Sequence, residues 1–445
     1  MRKYKMHKEL FPLHFPGTAV IADDGREVSY ADLRQMTDAW AAKIPPRSLV
    51  FLLVGNHLES LVSYVGCLNH GIVPLMLSEN IDAALLEELK RKYRPDFIFK
   101  NGRVIEESSN RTILHPDLAL LLTTSGSTGS PKLVRQSYRN IEANRDSIVQ
   151  YLKLDATERP ITTLPMNYVY GLSIINSHLA VGATILLADK TLMQREFWNF
   201  FNEQKATSFG GVPYTYEMLD KLMFFRRKLP SLRTMTQAGG KILPSLHQKF
   251  AEWAAKEGKN FVVMYGQAEA TARMSYLPPE RALDKVGSMG IAIPGGRFEI
   301  VDGELVYYGD NVTLGYAECC EDLAKGDERH GRLVTGDMAR VDEEGFYYIV
   351  GRKKRFLKIF GNRVNLDETE RILKAQFPSF ECACGGVDDQ MRIYITDPTQ
   401  QKAVQTFIAD KTHLNFTAFE IVSVAAIPKN AAGKTLYAEL EKLHV

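Results

Sequence analysis

The sequence is short of cysteine: five thiols, Cys67, Cys319, Cys320, Cys382 and Cys384, are spread over 445 residues. The number is odd, too small for a disulfide framework in a chain of this length, and no two are spaced as CxxC, so neither a stapled secreted fold nor a thiolate zinc site is expected. Neither sign of charge dominates, since 55 Lys and Arg stand against 53 Asp and Glu. That near-balance gives no electrostatic reason to expect nucleic acid or an anionic membrane as partner. Long hydrophobic runs are missing too, none approaching the ~18 residues that span a bilayer. The segment Met1–Phe15 is basic but broken by charges before an apolar stretch develops, so it does not read as a secretory leader. Repeats and low-complexity tracts are absent, which excludes a solenoid. A reduced, cytoplasmic, globular protein is expected.

What is present begins with length, which exceeds what one hydrophobic core supports and implies at least two domains. Short apolar runs at 49–55, 117–125, 183–189 and 260–266 end in small or polar residues and alternate with helical patterns around 31–44 and 245–258. This alternation predicts an α/β fold whose large N-terminal domain has layers built on parallel strands. From about residue 285 the texture becomes Gly-punctuated and rich in Tyr and Val, which predicts a β-rich subdomain. The basic junction Arg352, Lys353, Lys354, Arg355 then precedes about 90 residues that read as a small α+β module. The predicted boundary lies at Lys354, with an N-terminal domain over 1–353 and a C-terminal domain over 354–445.

The strongest chemical segment is Leu122-Thr-Thr-Ser-Gly-Ser-Thr-Gly-Ser-Pro-Lys132. An apolar strand runs there into hydroxyls and glycines that let backbone approach a polyphosphate, and a lysine closes the segment with a point charge. It is not a P-loop, because its spacing departs from GxxxxGK[ST]; the segment ending Gly433-Lys434-Thr435 also fails that pattern, with Pro428 where the first glycine belongs. Taken alone, the Leu122–Lys132 segment also reads as a Ser/Gly-rich surface turn.

The segment resembles the phosphate-binding signature of the adenylate-forming superfamily, which includes acyl-CoA synthetases, aryl-acid ligases, nonribosomal adenylation domains and luciferase-like AMP-dependent ligases. Further signatures follow in the family's order. Tyr265-Gly-Gln-Ala-Glu269 is similar to YGxTE, Gly303-Glu-Leu with Gly309 and Gly315-Tyr316 to GEL…G…GY, and Thr335-Gly-Asp337 to TGD. Gly351 to Arg363 resembles the GRxDxxxKxxGxR crossover region, and Pro428 to Lys434 the C-terminal NxxGK loop. Each motif is weak alone; their ordered occurrence carries the resemblance.

The resemblance implies an AMP-forming acid–thiol ligase using ATP, Mg²⁺ and coenzyme A, or the phosphopantetheine of a carrier protein. Glu269 and Thr124 would be catalytic and hold Mg²⁺, and Lys434 would stabilise charge as a carboxylate attacks the α-phosphorus. Thr123, Ser125, Gly126, Ser127, Thr128, Gly129 and Lys132 would cradle phosphates, with Gly239, Tyr265 and Gly266 beside them. Asp337 would accept the ribose hydroxyls and Arg352 would reach ribose or phosphate. Lys354 would be a hinge, with Lys358 and Gly361 on the loop serving thioester formation. Taken singly, each charged residue here reads as solvated surface. Three departures stand out: Ala268 replaces the threonine of YGxTE, Leu133 replaces a common glycine, and Tyr437 stands where many members have arginine.

Family members build the acyl pocket from the segments matching Leu164–Ser173, Gly210–Pro213 and Ala238–Gly240, which here makes Asn167, Tyr168, Tyr170, Gly171 and Gly240 candidate substrate contacts. No aspartate lies between Asp155 and Asp189 to pair a substrate ammonium, which disfavours α-amino acids. Aryl and aliphatic acids both remain open, because Asn167 and Tyr168 suit a ring hydroxyl whereas Tyr168 and Tyr170 equally suit an apolar tunnel. Coenzyme A is favoured as acceptor over a free-standing carrier protein, since no carrier domain is fused, and a homodimer is left open. The competing class is a nucleotide- or acyl-binding regulator on the same fold, opposed by the joint retention of Glu269, Asp337 and Lys434.

Overall fold

The computed structural model describes residues 9–100, 102–108, 111–123, 132–360, 362–429 and 435–443. They divide into two compact units: one holds the described residues up to Arg297 together with Tyr307–Leu333, the other Phe298–Val306 and the described residues from Val334 on. The four-stranded sheet that follows residue 297 is thus grouped with the C-terminal module.

In the first unit, strands with continuous apolar runs are buried on both faces. Leu49–Val54 is buried at all six positions, as expected of a central parallel strand covered on both sides. It pairs in parallel with Val73–Ser78 and Phe97–Lys100, and Val73–Ser78 pairs in parallel with Leu118–Thr123. Antiparallel strands Leu133–Ser137, Gly315–Ala317 and Arg103–Glu106 complete a seven-stranded sheet. The sheet is therefore mixed, parallel in its middle and antiparallel towards its edges. A second sheet repeats this plan: Ser208–Gly211, Thr234–Gln237 and Asn260–Tyr265 run parallel, then Ser275–Tyr276 and Ile291–Ala292 run antiparallel. The run at 183–189 contributes only the short strand Ile185–Leu187. Helices Tyr30–Ala41 and Pro244–Lys256 occupy the two expected helical stretches. Helix Tyr138–Leu152 starts from a capping box in which the Ser137 hydroxyl accepts from the Asn140 N–H and the Asn140 side chain accepts from the Ser137 N–H, satisfying two otherwise orphaned donors.

The second unit contains the β-rich texture. Strands Arg297–Val301, Glu304–Tyr308, Arg332–Val341 and Tyr347–Arg352 form one sheet. The first two are joined by Asp302 and Gly303, with φ of 50° and 78°, the left-handed pair that a two-residue hairpin turn requires. Beyond it, Cys382–Val387, Gln390–Ile395 and Phe419–Ser423 form a three-stranded sheet, accompanied by helices Leu366–Gln376 and Gln401–Thr412. Arg355 pairs with Asp367 and Glu370, and its guanidinium lies 3.8 Å from the centre of the Tyr437 ring. The Tyr437 hydroxyl donates to Glu370 at 3.0 Å, so the departure at 437 packs this unit together. Among the described residues no helix is long and apolar enough to cross a membrane.

Candidate active site

The site in the first unit is built by two returns of the chain at strand ends. The first is at the antiparallel pair Leu118–Thr123 and Leu133–Ser137, where Thr123 is paired with Leu133 and Lys132 directly precedes the second strand. Thr124, Ser125, Gly126, Ser127, Thr128 and Gly129, which the sequence marks as the phosphate cradle, lie outside the described residues. Lys132 pairs with Glu318 at 2.6 Å, and its hydrogen bond first, then its charge, lower the Glu318 carboxyl from its ordinary value.

The second return follows strand Asn260–Tyr265. A Cβ on Gly266 would lie 1.6 Å from the carbonyl oxygen of Ala272, so only glycine permits the chain to fold back this closely. A short 3₁₀ turn over Ala268–Ala270 follows, and Thr271 and Ala272 take φ of 50° and 87°, a left-handed pair that costs conformational energy without glycine and is often held at functional sites. Met274 N–H then closes the return by donating to the Tyr265 carbonyl at 2.9 Å. Glu269 sits at the apex of this return.

Three partners fix Glu269. The Tyr316 hydroxyl donates to its Oε1 at 2.6 Å, Thr313 donates to its carbonyl through both N–H and Oγ1 at 3.0 Å, and Arg329 Nη1 donates to the same carbonyl at 3.1 Å. Burial first, and then the Glu269 charge, push the Tyr316 phenol up to about 12, so it remains a donor at neutral pH. The Tyr316 ring also lies 4.6 Å from the Arg329 guanidinium and 5.8 Å from Lys132 Nζ. Three segments far apart in sequence, contributing Lys132, Glu269 and Tyr316 itself, therefore meet on one ring.

The predicted acyl-pocket segments form an apolar cluster of Leu164, Tyr170, Ile174, Val212, Ala238, Val262 and Met264, with Tyr151, Tyr168 and Tyr276 packed against it. Tyr168 and Tyr170 meet edge to face with ring centres 6.3 Å apart, and the Tyr170 hydroxyl bonds the Thr236 hydroxyl at 2.7 Å. Burial pushes the Tyr168 phenol up to about 12. The glycines here are close approaches: Gly239, at φ 82°, would place a Cβ 2.5 Å from the Tyr168 hydroxyl, Gly171 one 2.5 Å from the Pro165 carbonyl, and Gly240 one 3.1 Å from the Pro213 ring. Asn167 is half-buried in the turn before helix Val169–Leu179. The Tyr265 hydroxyl accepts from Gln267 Nε2 at 3.2 Å.

In the second unit, Asp337 and Arg352 face each other across adjacent strands, with Arg352 Nε 3.8 Å from the buried Asp337 carboxylate. Gly336 lies within strand Arg332–Val341 directly before Asp337 at a φ of 74°, and its N–H donates to Glu304 at 3.1 Å. Lys354 lies in the 3₁₀ turn Lys353–Arg355 and Lys358 on the exposed side of strand Phe356–Ile359. Gly361 and Lys434 lie outside the described residues.

Sequence reasoning assigned no role to Tyr316, Arg329 or Arg273. Tyr316 was visible as the last residue of its motif. Arg273 offered one signal, a lone charge in the run Ala270-Thr-Ala-Arg-Met274 four residues past Glu269.

Residues 106–317 match the family model described as AMP-binding enzyme. The 2-succinylbenzoate–CoA ligase of Listeria innocua is 24% identical over 471 residues, covering 96% of this chain and 97% of that protein. The oxalate–CoA ligase of Arabidopsis thaliana is 29% identical over 302 residues, covering 64% of this chain and 58% of that protein. Among solved structures, the o-succinylbenzoate CoA synthetase of Bacillus subtilis in complex with its acyl-adenylate intermediate aligns with a TM-score of 0.80 at 21% identity, covering 95% of each chain. ATP-bound MatB from Rhodopseudomonas palustris aligns with a TM-score of 0.80 at 21% identity over 98% of this chain and 97% of that one. The ordered motifs and the glycine-enforced return carrying Glu269 agree with these matches: residues 106–317 form an AMP-binding segment, and over nearly its whole length the chain is similar to CoA ligases of the adenylate-forming kind and shares their fold.

Proposed function

We propose that the protein is an AMP-forming acid–thiol ligase that condenses a carboxylic acid with ATP to an acyl-adenylate and pyrophosphate, then passes the acyl group to coenzyme A with release of AMP. The observation that carries this reading is the convergence of Lys132, Glu269 and Arg329 on Tyr316.

The residues fit a Mg²⁺-bound nucleotide. Glu269 supplies a hard carboxylate whose Oε2 has no hydrogen bond among the described residues, and Thr124 is the companion ligand expected from the sequence. Magnesium bound there neutralises phosphate charge and polarises the phosphoryl group. Tyr316 aims the carboxylate, and the Thr313 and Arg329 bonds to the Glu269 carbonyl hold the return rigid. Asp337, placed by Gly336 and flanked by Arg352, accepts the ribose hydroxyls. Lys434 stabilises the charge that develops as the acid oxygen attacks the α-phosphorus and pyrophosphate departs. The tyrosine-lined cluster around Tyr168 and Tyr170 takes the acyl group, which is aryl or aliphatic and without an α-ammonium. Lys354 acts as the backbone pivot between the two half-reactions, and Lys358 and Gly361 serve the second. The cytoplasm suits five free thiols.

Acid-dependent exchange of labelled pyrophosphate into ATP tests the first half-reaction, and CoA-dependent AMP release tests the second. Lys434→Ala should slow exchange by about 10² or more while still accepting preformed acyl-adenylate. Lys354→Pro and Gly361→Leu should exchange normally yet fail to form thioester. A wild-type protein that binds ATP and exchanges with no acid sinks the ligase reading; parallel loss of both halves in all three variants sinks the pivot.

A further inference from the structure

Arg273 is 2% exposed, and no carboxylate pairs with it among the described residues. Its Nε donates to the Ser173 hydroxyl at 3.0 Å, and its Nη1 to the Tyr151 hydroxyl at 3.0 Å, with the Met264 sulfur 3.5 Å away. Nη2 makes no hydrogen bond to any described residue, and the guanidinium carbon stands 5.3 Å from the centre of the Tyr170 ring. Every one of these neighbours is neutral. A guanidinium stays charged at any physiological pH, so it cannot relieve its burial by losing a proton. A charge out of water is tolerated when an opposite charge reaches it, and two hydroxyls, a thioether and a ring face fall short of that.

The position says where the missing charge comes from. Tyr151, Tyr170 and Met264 all belong to the apolar cluster that receives the acyl group. Ser173 and Asn144, whose amide donates to the Arg273 carbonyl at 2.8 Å, also line a small cavity of about 10 Å³, room for one water and nothing larger. An anion larger than water therefore approaches from the cluster. Asn311 also donates to the Arg273 carbonyl at 3.1 Å, which with the Asn144 bond fixes where the side chain starts.

We infer that Arg273 is a specificity residue that receives a second anionic group of the acid, so that the substrate class is carboxylic acids bearing another carboxylate or an equivalent anion besides the one adenylated. Resting on the ligase reading above, the inference makes Nη2 the open donor for that group, with the Tyr170 face lying against the guanidinium. Acids with an uncharged tail leave the guanidinium unpaired and are selected against.

Pyrophosphate exchange with matched acids of equal length tests it: butyrate against succinate, hexanoate against adipate, benzoate against phthalate. Wild type should favour at least one diacid over its partner by roughly 10²-fold in kcat/KM, the worth of a charge-assisted bond made in a dry site. Arg273→Met should abolish that preference while raising activity with monoacids, and Arg273→Lys should retain part of it. A merely structural arginine would lower both members of each pair alike, and equal or better use of the monoacids by wild type overturns the inference even where a variant fails to fold. If wild type exchanges with no acid, the ligase reading has failed, and calorimetric titration of the same pairs decides the charge reading separately: diacids should bind and monoacids should not, and the reverse or no difference overturns it.

Discussion

Two arginines, Arg135 and Arg273, head the fully buried side chains of the first unit, and their surroundings differ in kind. Arg135 spends its guanidinium on structure: Nε donates to the Tyr316 carbonyl at 3.0 Å, Nη1 to the carbonyls of Lys325 and Gly326, Nη2 to the Leu314 carbonyl at 3.2 Å and to the Glu328 carboxylate. Charge and donors are both answered from within the chain. Arg273 has neutral partners and a donor left over. The contrast teaches that burial alone does not distinguish a structural cation from a functional one; the balance of its partners does.

The largest expected effect comes from breaking the balanced one. Arg135→Leu strands four carbonyls and returns the half-exposed Glu328 carboxylate to water, and should cost about 2 to 3 kcal/mol of stability, set by the acceptors left unmade rather than by the ion pair. Arg273→Met strands only two hydroxyls while removing an uncompensated charge, so its cost should be less than half as large. Guanidinium chloride unfolding of both variants measures this, and equal losses would erase the distinction.

Much of the architecture was legible because the middle of each sheet is written in one chemistry. Leu49–Val54 is uniformly apolar and reads as a buried strand without knowledge of its neighbours. The antiparallel additions were not legible: Leu133–Ser137 is buried at all five positions although it contains Arg135, Gln136 and Ser137. Its polarity is answered by partners up to 193 residues away in the chain, which local pattern cannot register. The candidate site divides the same way. Glu269 and Gly266 were readable through the resemblance of Tyr265–Glu269 to YGxTE, and the close return supplies the physical reason for the glycine, whereas the phenol of Tyr316 acts through a contact spanning 47 residues. Arg273 stayed hidden because an arginine is ordinarily a surface residue, and only its lack of a counter-charge in three dimensions gives it meaning.

A smaller effect sharpens the contrast at Tyr316, which belongs to both networks: its carbonyl accepts from Arg135 while its hydroxyl holds Glu269. Tyr316→Phe keeps the first bond and removes the second. Stability should therefore change by no more than about 1 kcal/mol, while a carboxylate freed to swing should lower kcat roughly 10-fold and raise the Mg²⁺ concentration needed for half-maximal turnover. Unchanged magnesium dependence would show that the phenol does not position Glu269 for the metal.

The smallest effect is electrostatic and reads the uncompensated charge from a distance. His178 is buried; its Nδ1 bonds the Ile174 carbonyl at 2.8 Å and its Nε2 has no partner among the described residues. Burial first, and the Arg273 charge as a lesser cause, bring it down to about 4. His247 is brought down to about 4 as well, by burial without a contribution from Arg273. In the unfolded chain both titrate near 6.5, so between pH 6.5 and 4 the unfolded state binds more protons than the folded one, and stability falls as pH falls through that window. For each histidine the whole loss amounts to about 3 kcal/mol. Arg273→Met removes the like charge facing His178, so the folded-state value should rise towards 6.5 and the loss of stability on acidification should shrink by a few tenths of a kcal/mol. Arg135→Leu, which removes a charge already answered by Glu328, should leave the slope across that window unchanged. Urea unfolding of both variants at pH 8, 6.5, 5.5 and 4.5 compares them directly, with His247→Gln marking how much of the slope owes nothing to Arg273; equal slopes in the two arginine variants would mean that the Arg273 charge is screened and that the two arginines are electrostatically alike.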